Sequence, residues 1–238
     1  MRTLGLLGGM AWPSTLAAYR AINEGVAARL GGTHSAPLLI WSADFAEVVG
    51  LQTAGAWEEA GALLADAARR LEVAGAEGLL LCTNTMHRVA GAIETAVTVP
   101  LLHIADATAA AVRADGLTRV GLLGTRLTME GGFYRERLAD HGLEALVPAA
   151  ADRDVVDRVI YQELVQGRTS ERSRQEYLRI IAGLLDRGAQ GVIAGCTEIE
   201  LLVTADDLAV AYYPTTRLHA EAAVAWILED HPVAQRDR

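Results

Sequence analysis

Apolar residues in this chain come in short runs separated by longer amphipathic stretches. Residues 3–7 form a compact apolar run closed by Gly8, Gly9 and Met10, and Pro13, Ser14 and Thr15 then open a helical pattern that reaches about Leu30. Residues 37–42 read as a second strand, with Asp44 and Phe45 in the loop after it. Residues 53–74 read as one long alanine-rich helix, and residues 79–81 as a third strand running into C-T-N-T-M-H (82–87). A helix follows, Pro100 breaks it, residues 101–104 read as a fourth strand and 105–114 as a helix. Short apolar strands alternating with helices of ten or more residues predict parallel βαβ units.

The pattern then restarts. Residues 119–125, R-V-G-L-L-G-T, echo residues 3–9, T-L-G-L-L-G-G, at an offset of 116. Helices are predicted at 132–141, 152–166 and 170–187, a strand at 192–194, a last strand at 209–212 and a final helix at 218–228, with a polar, frayed tail after His231. The phrase G-A-Q-G-V-I-A-G-C-T-E (188–198) repeats G-A-E-G-L-L-L-C-T-N-T (75–85). Laying Gly78 on Gly191 without a gap puts Thr83 opposite Cys196, an offset of 113, and Cys82 opposite Gly195. Side chains alternate along a strand, so Cys82 is expected to point away from whatever Thr83 and Cys196 serve. Two landmarks at nearly one spacing indicate a duplicated α/β unit. The expected domains are 1–100 with 213–238, and 101–212. Their two open sheets would hold a site between their strand ends, where parallel sheets bind ligands. The alternative is one continuous doubly wound sheet.

Composition narrows the function. The 238 residues are 51% hydrophobic and 21% charged, enough for a sizeable core. A net charge of −9 and the absence of any basic run argue against nucleic acid. Two distant cysteines read as reduced thiols, and no apolar stretch approaches a membrane span, so a cytoplasmic protein with no membrane partner is expected. No histidine, cysteine or carboxylate pair has the spacing of a metal motif, and no G-x-S-x-G is present. There is no lysine, so a Schiff base to a pyridoxal cofactor is excluded, and carbon-acid chemistry here would proceed without one.

Cys196 is the leading chemical candidate, because a thiol, a hydroxyl and a carboxylate (Cys196, Thr197, Glu198) stand together at a strand end. Helix N-termini or a nearby cation would lower its pKa from the ordinary value. Glu198 is either a proton relay or the N-terminal charge of the next helix. Thr83, Asn84, Thr85, Thr125 and Thr197 form a set of uncharged donors at strand ends, suited to a carboxylate beside a carbon that becomes a carbanion; taken singly, each is more often a cap or turn residue. His87 and His103 read as structural more readily than catalytic. The glycines after the first strand do not match a nucleotide-binding loop, and a backbone cradle for a small carboxylate is expected there instead.

Five motifs together resemble the aspartate/glutamate racemase family: G-L-L-G-G-M-A-W-P-S-T (5–15), C-T-N-T-M-H (82–87), H-I-A-D-A-T (103–108), G-L-L-G-T-R-L-T-M (121–129) and G-C-T-E-I-E-L-L (195–202). The resemblance implies two similar α/β domains related by a pseudo-twofold with the active site between them, a frequent homodimer, and racemisation without a cofactor. Most members use two cysteines on opposite faces of the substrate. Here Asn84 and Thr85 match the family's N-T, so Thr83 takes one cysteine's place and Cys196 is the other, as in a Thr/Cys subgroup acting on aspartate and glutamate. By position, the resemblance assigns Met10, Gln52, Thr83, Asn84, Thr85, Thr197 and Glu198 to the substrate. A threonine alkoxide is inaccessible near neutral pH, so Cys196 is expected to abstract the proton and Thr83 to serve the other face, with one enantiomer consumed faster. Pro13 and Pro214 stand where relatives carry acidic residues, and no basic residue occupies a known clamp position for a substrate's second carboxylate; Arg126 and Arg168 are candidates by composition alone. A decarboxylase or isomerase of small dicarboxylic acids, similar to the arylmalonate decarboxylases, and a non-catalytic amino-acid-binding module are the rival readings.

Overall fold

The two echoing strand phrases are the central strands of two separate parallel sheets. The computed structural model of the chain describes residues 1–231, so the expected frayed tail lies outside the described residues. The first part of the chain holds β1 (Leu4–Gly8), α1 (Trp12–Leu30), β2 (Leu38–Ser42), α2 (Phe45–Ala54), α3 (Trp57–Val73), β3 (Gly78–Leu81), α4 (Ala90–Ala96) and β4 (Leu101–Leu102). Then come α5 (Ile104–Ala114), β5 (Arg119–Gly124), α6 (Arg126–Glu130), α7 (Gly132–Asp140), β6 (Glu144–Leu146), α8 (Ala150–Gln162) and α9 (Glu171–Asp186). β7 (Gly191–Gly195), β8 (Ala211–Pro214) and α10 (Thr215–Leu228) complete the described chain.

The sheet orders are β2-β1-β3-β4 and β6-β5-β7-β8, the same topology twice. Register makes the duplication exact to the residue. Leu7 pairs with Leu81 in the first sheet and Leu123 with Ala194 in the second; Gly5 pairs with Leu79, and Gly121 with Val192. The partners in β1 and β5 lie 116 positions apart and those in β3 and β7 lie 113 apart. The gapless alignment of Thr83 with Cys196 is therefore a property of the fold. Two compact units result, Met1–His103 with His219–Arg238, and Ile104–Leu218.

β1, β3 and β7 are buried along their whole length, because helices cover both faces of each sheet. In the first unit Leu79 and Leu81 pack with α3 residues such as Leu64 and Leu71, while Leu80 and Cys82 pack on the other face with Ile22 of α1 and Val224 of α10. In the second unit α9 buries Tyr177, Ile180, Ile181 and Leu184, the i, i+3, i+4, i+7 stripe of an amphipathic helix.

Three expectations change. Phe45 is not in the loop: α2 begins there, and Asp44, the last loop residue, accepts from the Ala46 N–H at 3.0 Å through its carboxylate and caps the helix. The single long helix over 53–74 is two helices, because Gly55 adopts a left-handed conformation (φ 69°) and stops α2. β6 and the short α6 fall where no element was expected, both too short to show a period.

The turn after β1 requires glycine. Gly9 has φ 87°, and a Cβ there would lie 2.4 Å from both the N and the O of Ala43. Gly9→Ala is expected to destabilise the chain by about 3 kcal/mol or more, since positive φ and a backbone clash act together. A thermal melt reads the effect directly.

Candidate active site

Each unit places its candidate residues just past the carboxyl end of its third strand. In the first unit Cys82 is the first residue past β3, its N–H still donating to the Leu7 carbonyl of β1 at 2.9 Å. Its side chain is 5% exposed in the α1/α10 core, and burial pushes the thiol up to about 12. Thr83 follows, half-buried, its N–H donating to the Leu81 carbonyl at 2.8 Å. Asn84 and Thr85 are buried where the chain turns into a 3-10 helix over Thr85–Val89. Gln52, in the last turn of α2, donates from Nε2 to Met86 Sδ at 2.9 Å, and Met10 packs in the same core as Met86 and Leu81. Met86 thus ties Met10 and Gln52 to the Thr83, Asn84 and Thr85 segment.

The backbone cradle expected at the start of α1 is weaker than anticipated. Thr15 Oγ1 takes the Gly9 N–H at 2.8 Å, and Pro13 in the first turn has no N–H to offer.

In the second unit Cys196 is half-buried beyond β7, and its Sγ donates to Glu198 Oε2 at 2.9 Å. The 3-10 helix Thr197–Leu201 folds the Glu198 carboxylate back onto the thiol two residues earlier. The electrostatics reverse the expected direction. Burial first, and then the Glu198 carboxylate, hold the Cys196 thiol well above the usual cysteine range. The resting group is a neutral thiol whose hydrogen points at a carboxylate oxygen, so it becomes a base only by passing that proton to Glu198. Thr197 Oγ1 lies 2.9 Å from Thr216 Oγ1 in the first turn of α10, and Thr215 donates to the Ala194 carbonyl at 2.9 Å.

Thr125 has a local role, its hydroxyl accepting from the Thr128 N–H at 3.3 Å to cap α6. Arg126 pairs with Asp154 at 2.5 Å, and Arg168 donates to the Gln162 carbonyl at 2.7 Å, so both guanidinium groups have local partners. Thr216 is an addition that sequence reasoning missed. Only the register of β8 beside β7 shows that the Pro214, Thr215, Thr216 run delivers a hydroxyl to Thr197. Among the described residues no cluster of three or more histidine, cysteine or carboxylate groups could hold a metal ion, and no helix is long and apolar enough to cross a membrane.

Two α/β units with a donor-lined strand end in each, one bearing a thiol and a carboxylate, define a class also met in known proteins. Residues 7–223 match the family model for Asp/Glu/hydantoin racemases, and the chain belongs to that family. A Yersinia pestis protein provisionally assigned as an Asp/Glu racemase is 52% identical, with TM-score 0.92, over 96% of this chain and all of that one. An aspartate racemase homologue from Pyrococcus horikoshii is 32% identical, with TM-score 0.85, over 95% of this chain and 99% of that one. The Picrophilus torridus aspartate racemase shares the fold at 19% identity and TM-score 0.70, over 96% of this chain and 94% of that one.

Proposed function

We propose that this chain is a cofactor-independent amino-acid racemase that interconverts the L and D forms of aspartate, glutamate or both. The observation that carries the reading is the register equivalence of Thr83 and Cys196, with Cys196 hydrogen-bonded to Glu198. Family membership and the names of the relatives supply the substrate class.

In the proposed reaction, the Cys196 thiol proton passes to Glu198 as sulfur takes the substrate's α-proton. The α-carbanion is left as an enediolate, whose charge suits hydroxyl and amide donors such as Asn84, Thr85 and Thr197. Thr83 then delivers its hydroxyl proton to the opposite face and recovers one from water, and Glu198 releases its extra proton to solvent. The reverse direction retraces these steps. Because the equilibrium constant between enantiomers is one, kcat/KM must be equal for L and D. The unequal consumption expected from a Thr/Cys pair therefore appears in kcat and KM separately, and in exchange without inversion.

A single thiol with a carboxylate acceptor also suits protonation of an enediolate after decarboxylation of a malonate-like acid. The discriminating experiment incubates purified protein, without added cofactor, with L- and D-aspartate, L- and D-glutamate and a substituted malonate. Chiral chromatography showing either amino acid approaching a racemic mixture is the expected result. Carbon dioxide release from the malonate with no inversion of any amino acid would replace this reading with the decarboxylase, and ligand binding without turnover would replace it with the binding module.

A further inference from the structure

Three imidazoles are packed together inside the first unit: His87 after the third strand, His103 at the end of β4 and His219 in α10. All are at most 7% exposed. The His87 ring centroid lies 4.4 Å from that of His103 and 5.8 Å from that of His219, with interplanar angles of 63° and 61°. His87 Nδ1 is 2.7 Å from the Thr83 carbonyl oxygen, and His219 Nε2 is 2.7 Å from the Leu102 carbonyl oxygen. A carbonyl can only accept, so the hydrogen is on Nδ1 of His87 and on Nε2 of His219. Burial, with the two neighbouring imidazoles, keeps His87 well below the usual histidine range and hence neutral.

This bond fixes one particular residue. The Thr83 N–H is held by the Leu81 carbonyl, and the Thr83 C=O is held by the His87 ring, so its main chain is tied on both sides. The second unit handles the equivalent position differently. The Cys196 carbonyl accepts the Ile199 N–H at 3.1 Å, and the residue aligned with His87 is Glu200. The side-chain tether belongs to the threonine side.

We propose that His87 is a positioning residue for Thr83: its Nδ1–H holds the Thr83 carbonyl, and His103 and His219 fix the plane of its ring. The inference rests on the racemase reading for its functional meaning. A hydroxyl is a poor proton carrier, so its delivery depends closely on placement, and an error of about 1 Å can cost on the order of 100-fold. His103 and His219 come from stretches far from His87 in sequence, so the ring is held by the tertiary fold and not by the turn alone.

The test compares wild type, His87→Phe and His87→Asn in deuterium oxide, following α-proton exchange with retention and exchange with inversion as separate rates. His87→Phe keeps the ring's bulk but lacks the donor. It is expected to slow inversion by about 10- to 100-fold while exchange with retention, which needs only Cys196, changes by less than about threefold. Asparagine can place an amide N–H where Nδ1 stood, and should recover most of the inversion. Equal loss of both rates, or no loss of either, would overturn the proposal. Independently of turnover, nitrogen-15 NMR of the wild-type ring should show a neutral, Nδ1-protonated His87 at pH 7; an Nε2–H tautomer or an imidazolium would overturn it. Failure of wild type to exchange any of the four enantiomers would instead overturn the racemase reading, while the tautomer measurement still decides the tether.

Discussion

Replacing Cys196 by alanine is expected to abolish racemisation, lowering kcat by about 1,000-fold or more, whereas Cys82→Ala should leave kcat within about twofold. A positioned acid–base group contributes on the order of 100- to 10,000-fold, and Cys196 is the thiol with a proton acceptor in contact. Cys82 sits one residue out of register. Its counterpart in the second sheet is Gly195, inside the strand, and its thiol lies in the α1/α10 core, where burial raises it to about 12. Truncating it removes one buried sulfur and should cost about 1 kcal/mol of stability. Chiral chromatography for rates and a denaturant titration for stability separate the two variants cleanly. Comparable loss of turnover in both would mean that the register argument picks the wrong thiol.

Glu198→Gln carries the second large effect, expected at about 100-fold in kcat near pH 7. The isosteric amide keeps the side chain's shape but cannot take the thiol proton. Removing the carboxylate also removes one of the causes that raise the Cys196 pKa, but burial, the larger cause, remains. The variant's thiol therefore stays predominantly protonated across the neutral range, and only its thiolate fraction can act. That fraction rises tenfold per pH unit below the thiol's pKa, so kcat of Glu198→Gln should climb with a slope near one in log units from about pH 7 to 9. Wild type, with the acceptor built in, should show no such slope there. Parallel profiles for the two proteins would remove Glu198 from the proton path and leave it as an orienting group.

Much of the framework was legible because strands buried on both faces are written as uninterrupted apolar runs, and a duplicated fold writes them twice. The G-L-L-G phrases gave the offset of 116 and the G-x-x-G-hydrophobic phrases that of 113, and the sheet register reproduces both. Illegible features depended on local competition or on distant partners. Asp44 carries the same residue type in a loop and in a helix cap, and only its bond to Ala46 decides between them. Gly55 interrupts a continuous alanine-rich pattern through its backbone conformation, which apolar periodicity does not report. The capping bond that Thr125 accepts from the Thr128 N–H depends on where α6 starts, which a five-residue helix does not announce in the sequence.

The site was legible in membership more than in electrostatics. Cys196 and Glu198 are adjacent in sequence, yet the direction of the thiol's pKa follows from a 3-10 turn that brings the carboxylate to 2.9 Å, and nothing in the C-T-E string specifies that turn. Thr216 lay beyond reach for a different reason. It meets Thr197 only because β8 pairs with β7, a contact across 19 positions that a single sequence does not announce. The three imidazoles are the extreme case, with His87 and His219 separated by 132 positions and joined only by the tertiary packing of α10.

The most direct test of the central claim is proton NMR of L- and D-aspartate and L- and D-glutamate in deuterium oxide, with wild type beside Cys196→Ala. The account predicts loss of the α-proton signal for at least one pair of enantiomers with wild type, accompanied by inversion and without added cofactor, and no loss above background with Cys196→Ala. Undiminished exchange in Cys196→Ala, or none of the four substrates exchanging with wild type, would contradict it.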